Sequence, residues 1–233
     1  MRSKNKIIMA NKNKTEEQFA QVEQALGKTE QYIEDNQNSL MIIVGVIIGI
    51  IVLFKAYQNF YIEPLEEEAQ IEVYMAELYF QKDSFNLALD GDGQYAGFLD
   101  VVDEYSSTNV GNLANYYAGL CYLHTGDYEN AIEYLEDFSS DDIILSSLAL
   151  GCVGDAYMEL GDTDNAIDAY EDAVANSNNK FTTPRYMMKL ATVHELNGDY
   201  SEALDIYKAI TVDFKDSREA SGIEKYISRA ENR

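Results

Sequence analysis

The chain has 233 residues, 46% of them hydrophobic and only two of them proline, enough apolar material for one or two packed domains and too little proline for a disordered tract. Its 41 acidic residues outnumber 17 basic ones, and the resulting net charge of −24 repels phosphate backbones, which excludes nucleic acid as a partner. Cysteine usage is thin: Cys121 and Cys152 read as free thiols packed like small hydrophobes rather than as a disulfide framework.

From the N-terminus, TEEQFAQVEQALGKTEQYIEDN (15–36) gathers Phe19, Val22, Leu26, Tyr32 and Ile33 on one helical face, and Thr15 to Gln18 fits a capping box. The acid-rich opposite face disfavours an anionic lipid surface. Residues 1–38 are therefore expected to be a cytoplasmic tail whose amphipathic helix meets a partner through Phe19, Val22, Leu26 and Ile33.

The next segment, SLMIIVGVIIGIIVLFKAYQNFY (39–61), has no polar stripe, because Ile and Val continue around every face. Its uncharged core, Leu40 to Phe54, is 15 residues, about 22 Å as a helix and short of a ~30 Å hydrocarbon layer. Lys55 can reach outward, and Tyr57, Phe60 and Tyr61 supply an aromatic belt, so a span from Ser39 to Tyr57 is workable. A preceding acidic helix and the lack of a small-x-small cleavage site favour a retained single-pass anchor over a cleaved signal. Arg2, Lys4, Lys6, Lys12, Lys14 and Lys28 precede the span, and only Lys55 follows it closely, which predicts a cytoplasmic N-terminus and an exported C-terminal domain.

Residues 62–110 are expected to form a degenerate first helical unit. Ala76, Tyr79, Phe85 and Ala88 keep the small, aromatic, aromatic, small order of the units that follow, with DSF in place of GDY. The DGDGQ stretch at 90–94 lacks the Gly and Glu of a calcium loop, since Tyr95 and Val101 stand there, and is expected to be a flexible insert.

Beyond it, GDYENAIEYL (126–135) returns as GDTDNAIDAY (161–170) and GDYSEALDIY (198–207), at steps of 35 and 37 residues between the leading glycines. Gly126, Gly161 and Gly198 suit the left-handed position that ends a helix, and Asp127, Asp162 and Asp199 suit the cap that begins the next. Ala131, Ala166 and Ala203 would allow close helix approach, as would Gly119, Gly154 and Ala191 seven residues before each turn. Tyr122, Tyr157 and His194 stand four residues before it. After 111–215, the segment 216–233 puts Ala220, Ile223, Ile227 and Ala230 on one stripe, as a terminal capping helix requires.

This small, large, Gly, Ala order resembles the tetratricopeptide repeat, a helix-turn-helix unit, although no Trp occurs and His194 replaces the usual Tyr. The resemblance implies an all-α fold: a single transmembrane helix followed by a tetratricopeptide α-solenoid. It also implies a partner groove on the first helices, at Leu113, Tyr116, Leu120 and Leu123, then Leu148, Gly151, Asp155 and Met158, then Arg185, Met188, Thr192 and Glu195. Each apolar member is either a ligand contact or core. The first two units lack Lys and Arg there, which sets aside the acidic chaperone tails that some members of the family clamp. An extended apolar segment, or a partner with a basic patch, fits better.

No spacing in the chain suits a metal site, phosphate loop or catalytic triad, so neither enzyme activity nor a cofactor is expected. Between Lys82 and Lys180 there is no basic residue against 20 acids, whereas 180–233 holds nine of each sign. That acidic block is either a solubilising surface or a docking face. The layout of tail, anchor and exported repeats resembles the bacterial YfgM-like proteins. By that resemblance the chain would sit in the inner membrane with a periplasmic repeat domain, as an ancillary subunit of the Sec translocon. Its partners would be translocon subunits, a prolyl isomerase or chaperone, exported clients and the lipid bilayer. The alternatives are a structural adaptor in a secretion or envelope-assembly complex, and an inverted topology with a cytoplasmic repeat domain.

Overall fold

The computed structural model describes residues 34–176 and 178–233, and the expected N-terminal contacts Phe19, Val22, Leu26 and Ile33 lie outside them. The chain divides between Tyr61 and Ile62 into two units. In the first, α1 (Gln37–Tyr57) is a 21-residue helix, about 31 Å long, with none of its residues buried. Met41 through Phe54 leave every large side chain at least half exposed. Gln58–Ile62 then winds as a π-helical turn. Tyr57 and Tyr61 stack at 5.2 Å.

The second unit, Ile62–Arg233, is built of helices, and no strand occurs among the described residues. Helix α2 (Glu63–Gln81) begins with Pro64 in its first turn, where the missing N–H is not needed. The partner of α2 is split in two, α3 (Phe85–Asp90) and α4 (Phe98–Tyr105). Three helix pairs follow: α5 (Asn109–Thr125) with α6 (Tyr128–Asp137), α7 (Ile143–Leu160) with α8 (Thr163–Ala175), and α9 (Thr183–Asn197) with α10 (Tyr200–Asp213). A short α11 (Glu224–Glu231) ends the stack. Helices pack on their neighbours in sequence or the next one over, except that α2 also reaches α5 across the split α3 and α4, and the core is a succession of clusters rather than one centre.

The turns explain the repeat. Gly126, Gly161 and Gly198 have φ of 83°, 77° and 88°. The amide after each turns back to the carbonyl of Tyr122, Tyr157 or His194 at 2.8–3.0 Å, which satisfies the helix end. In the degenerate unit the same bond runs from Ser84 N–H to Tyr79 at 2.9 Å, and Asp83 takes the left-handed position at φ 56°. Ala131, Ala166, Ala203, Ala76 and Ala88 are all fully buried.

Several expectations need correction. Asp127 and Asp162 cap their helices, accepting from the amides of Asn130 (3.4 Å) and Asn165 (3.2 Å), but Asp199 makes no such bond. In the first two units the Asn side chain also grips the capping carboxylate, at 2.8 and 2.7 Å; the third has Glu202 there, which repels it. Asp199 turns toward His194 instead, 3.9 Å away.

The DGDGQ insert is an ordered turn, not a flexible one. Asp92 accepts from the amides of Gln94 and Tyr95 (both 2.9 Å) and from the Tyr79 hydroxyl (2.7 Å). Gly97 is wedged so tightly on Leu89 that a Cβ would strike its carbonyl. The capping helix, expected over 216–233, is helical only from Glu224, after Gly222 at φ 80°. Its stripe holds nonetheless, with Ile223 and Ala230 buried and Ala220 and Ile227 packed beside them.

Candidate partner groove

The repeat's small residues bring the first helices close. A Cβ at Gly154 would strike the Tyr170 ring, and one at Gly119 would strike Leu135, so these positions set the spacing within each pair. Gly151, an expected groove position, is buried beneath the Tyr186 ring of the following unit and offers no surface. It is a contact between α7 and α9.

The α5 positions Leu113, Tyr116 and Leu123 are half-buried and pack on the cluster of Ala131, Leu135, Ala149 and Val153, while Leu120 is half-buried. Tyr116 also meets the Phe138 ring at 5.3 Å, and burial pushes its hydroxyl up to about 12. These residues hold units together as much as they present a surface. Leu148 and Met158 lean similarly on the Tyr170–Tyr186 cluster, and Met188 on the one after it.

The four positions Met158, Arg185, Met188 and Thr192 come together. With Tyr170, Lys189, Val193, Glu219 and Tyr226 they line a depression of about 410 Å³. Thr192 is shared with an adjoining hollow formed by Glu195, Leu196, Tyr200, Arg229 and Arg233.

Charged side chains fix this end of the groove. Asp155 accepts from the Tyr170 hydroxyl at 2.5 Å and pairs with Lys189, spanning α7, α8 and α9. Burial first, and then this bond, hold the Tyr170 phenol far above its ordinary range, so it remains a donor. Glu195 receives Arg229 through two nitrogens, Nε at 3.0 Å, which fastens α11 to α9. The Arg229 guanidinium also lies over the Tyr226 ring at 5.0 Å, and Lys225 covers it at 4.7 Å. Arg185 is exposed and makes no ion pair among the described residues.

Tyr226, Glu219, Lys189 and Arg229 were not foreseen from the sequence. Lys189 and Arg229 fall between the family's groove positions or beyond the last repeat, and Tyr226 and Glu219 come from a segment with no counterpart in the repeat. The only foreshadowing is the return of basic residues after Lys180. The histidines are structural: His124 stacks flat on Phe85 at 4.3 Å, and His194 sits at a repeat turn.

The arrangement is that of a helical-repeat interaction domain. Residues 113–141 and 154–218 each match the tetratricopeptide repeat family, so these segments are tetratricopeptide repeats, modules that bind other proteins and are typically not enzymes. Among solved structures, nearly identical tetratricopeptide-like repeats of a kinesin light chain from Podosopora anserina align at 16% identity and a TM-score of 0.53, covering 71% of this chain and 85% of that one. A second structure of those repeats gives the same identity and score, with 86% of its own chain covered. The MamA protein aligns at 19% identity and a TM-score of 0.48, covering 71% of this chain and 89% of that one. At 16% identity the likeness to the two kinesin light chain structures is one of fold. No curated protein sequence matches the chain significantly.

Proposed function

We propose that the chain is a membrane-tethered protein-binding scaffold, with α1 as a single-pass anchor and the repeats as the binding domain, working as an ancillary subunit beside the Sec translocon. The observation that carries the tether is α1 itself: 21 residues, uncharged from Leu40 to Phe54, with no buried side chain to explain its composition. The other long apolar helix, α7, is a third buried and belongs to the solenoid core. Binding by the repeats follows from their architecture. The N-terminal basic residues favour an N-in topology, which places the repeats on the periplasmic side of the bacterial inner membrane. There, exported chains and the chaperones or prolyl isomerases that receive them are the available partners. The translocon itself is inferred from the layout of tail, anchor and exported repeats.

Detergent extraction of tagged full chain, followed by pull-down and mass spectrometry, tests the assignment. Channel subunits should co-purify. One stoichiometric envelope partner without them would replace the translocon role by that of a structural adaptor. Protease treatment of sealed vesicles tests topology, since a repeat domain digested from the cytoplasmic side would overturn the periplasmic placement.

A further inference from the structure

The chain is strongly acidic, yet one end of its groove is not. The depression of Met158, Tyr170, Met188 and Tyr226 is fringed by Arg185 and Lys189, and the hollow joined to it through Thr192 by Arg229 and Arg233. Lys189 and Arg229 are already neutralised by Asp155 and Glu195, so they shape the walls. Arg185 is uncommitted and rises at the start of α9, beside a pocket lined by methionine and tyrosine that also holds the carboxylate of Glu219.

We propose that this end of the groove is a specificity subsite for an internal acidic–apolar segment of a partner protein: a Glu or Asp side chain on Arg185, followed by apolar or aromatic side chains in the two joined hollows. The proposal rests on the use of the groove for protein binding and names the sequence class it selects. A guanidinium pairs with a carboxylate through two parallel bonds, and a single free guanidinium fits a single side chain. Methionine and tyrosine walls adapt to varied apolar side chains. From Arg185 to Leu196 is 11 helical residues, about 16 Å, which an extended peptide crosses in about five residues. Because the surface continues past Arg185 to Leu196 and Tyr200, the occupant extends well beyond its carboxylate.

The test uses full chain in detergent micelles and fluorescein-labelled decapeptides, amidated at the C-terminus, carrying Glu, then Phe two residues on and Leu three further. Anisotropy should show binding that weakens at least fivefold when the Glu becomes Gln, with the Glu preference abolished in Arg185→Gln. A peptide of the same apolar residues bearing a free terminal carboxylate in place of the Glu should bind no better than the Gln peptide. Equal binding of the Glu and Gln peptides, a preference that survives Arg185→Gln, or binding only through the terminal carboxylate would each overturn the subsite. Apolar peptides that bind without acid preference would leave the groove intact and remove this inference alone. Failure of every peptide, together with an empty pull-down, would remove both.

Discussion

The hydroxyl of Tyr170 donates to the carboxylate of Asp155 at 2.5 Å, and the same oxygen meets Lys189 of the next unit, so one acid in a first helix ties two repeats together. Asp155→Ala leaves the buried phenol and the ammonium without their acceptor. Hydrogen bonds to charged groups contribute about 1.5–3 kcal/mol, and the expected loss lies in that range. Tyr170→Phe should cost less, because Asp155 keeps Lys189. Urea titration followed by circular dichroism measures both, and a loss for Tyr170→Phe equal to that for Asp155→Ala would show that Lys189 adds nothing.

Gly151 sits under the Tyr186 ring, where a methyl group has no space. Gly151→Ala should therefore force α7 and α9 apart and cost about 1–3 kcal/mol, the range for overpacking. Gly151→Ala combined with Tyr186→Leu should recover part of that loss, read from the same urea midpoints; no recovery would mean that the strain lies elsewhere.

The turns were legible because they are written in residues whose backbone chemistry is local: glycine at positive φ and aspartate at a helix start. The groove was legible only in outline. Leu113, Tyr116 and Leu123 match the family's positions, but whether such a side chain faces a ligand or a neighbouring unit depends on spacing between helices, which Gly151 and Gly154 set through rings distant in sequence. The charged fringe was illegible for the same reason. Asp155 with Lys189, and Glu195 with Arg229, are each 34 residues apart. The insert looked loose because Gly-rich stretches usually are, and its closure depends on Tyr79, 13 residues upstream of Asp92.

The third repeat lacks the Asp-x-x-Asn grip of the first two, since Glu202 stands where Asn130 and Asn165 do. Glu202→Asn should restore the cap on Asp199 and stabilise the domain by about 0.5–1 kcal/mol. Hydrogen exchange at the residue 202 amide should slow accordingly. An unchanged exchange rate would mean that His194 holds Asp199 regardless.

Burial pushes the thiol of Cys121 up to about 12 and that of Cys152 up to about 11. Only the thiolate alkylates, and at pH 8 it is then a fraction on the order of 10⁻³ or less. Iodoacetamide should leave both cysteines of the native chain unmodified at pH 8 and label both in urea, as intact-mass spectrometry would show. Rapid native labelling of Cys152 alone would reveal local opening between α7 and its neighbours.

Asp92 closes the insert, and its carboxyl is held below the usual carboxylate range, first by the Tyr79 hydrogen bond and then by the amides of Tyr95 and Gln94. A carboxyl whose folded-state value is depressed stabilises the fold above the unfolded value of about 3.9, and the contribution disappears as pH falls through the lower folded value. The loop should thus stay closed from neutral pH down to about 4 and release below it, as protons compete with three donors for one group. Amide chemical shifts of Gln94 and Tyr95, followed by NMR from pH 6 to pH 2, should move together in that lower window. In Asp92→Asn the same amides should lose this titration, while their shifts at neutral pH report whether an uncharged acceptor holds the turn. Movement centred above pH 5 in the native chain would show that another group, not Asp92, controls the closure.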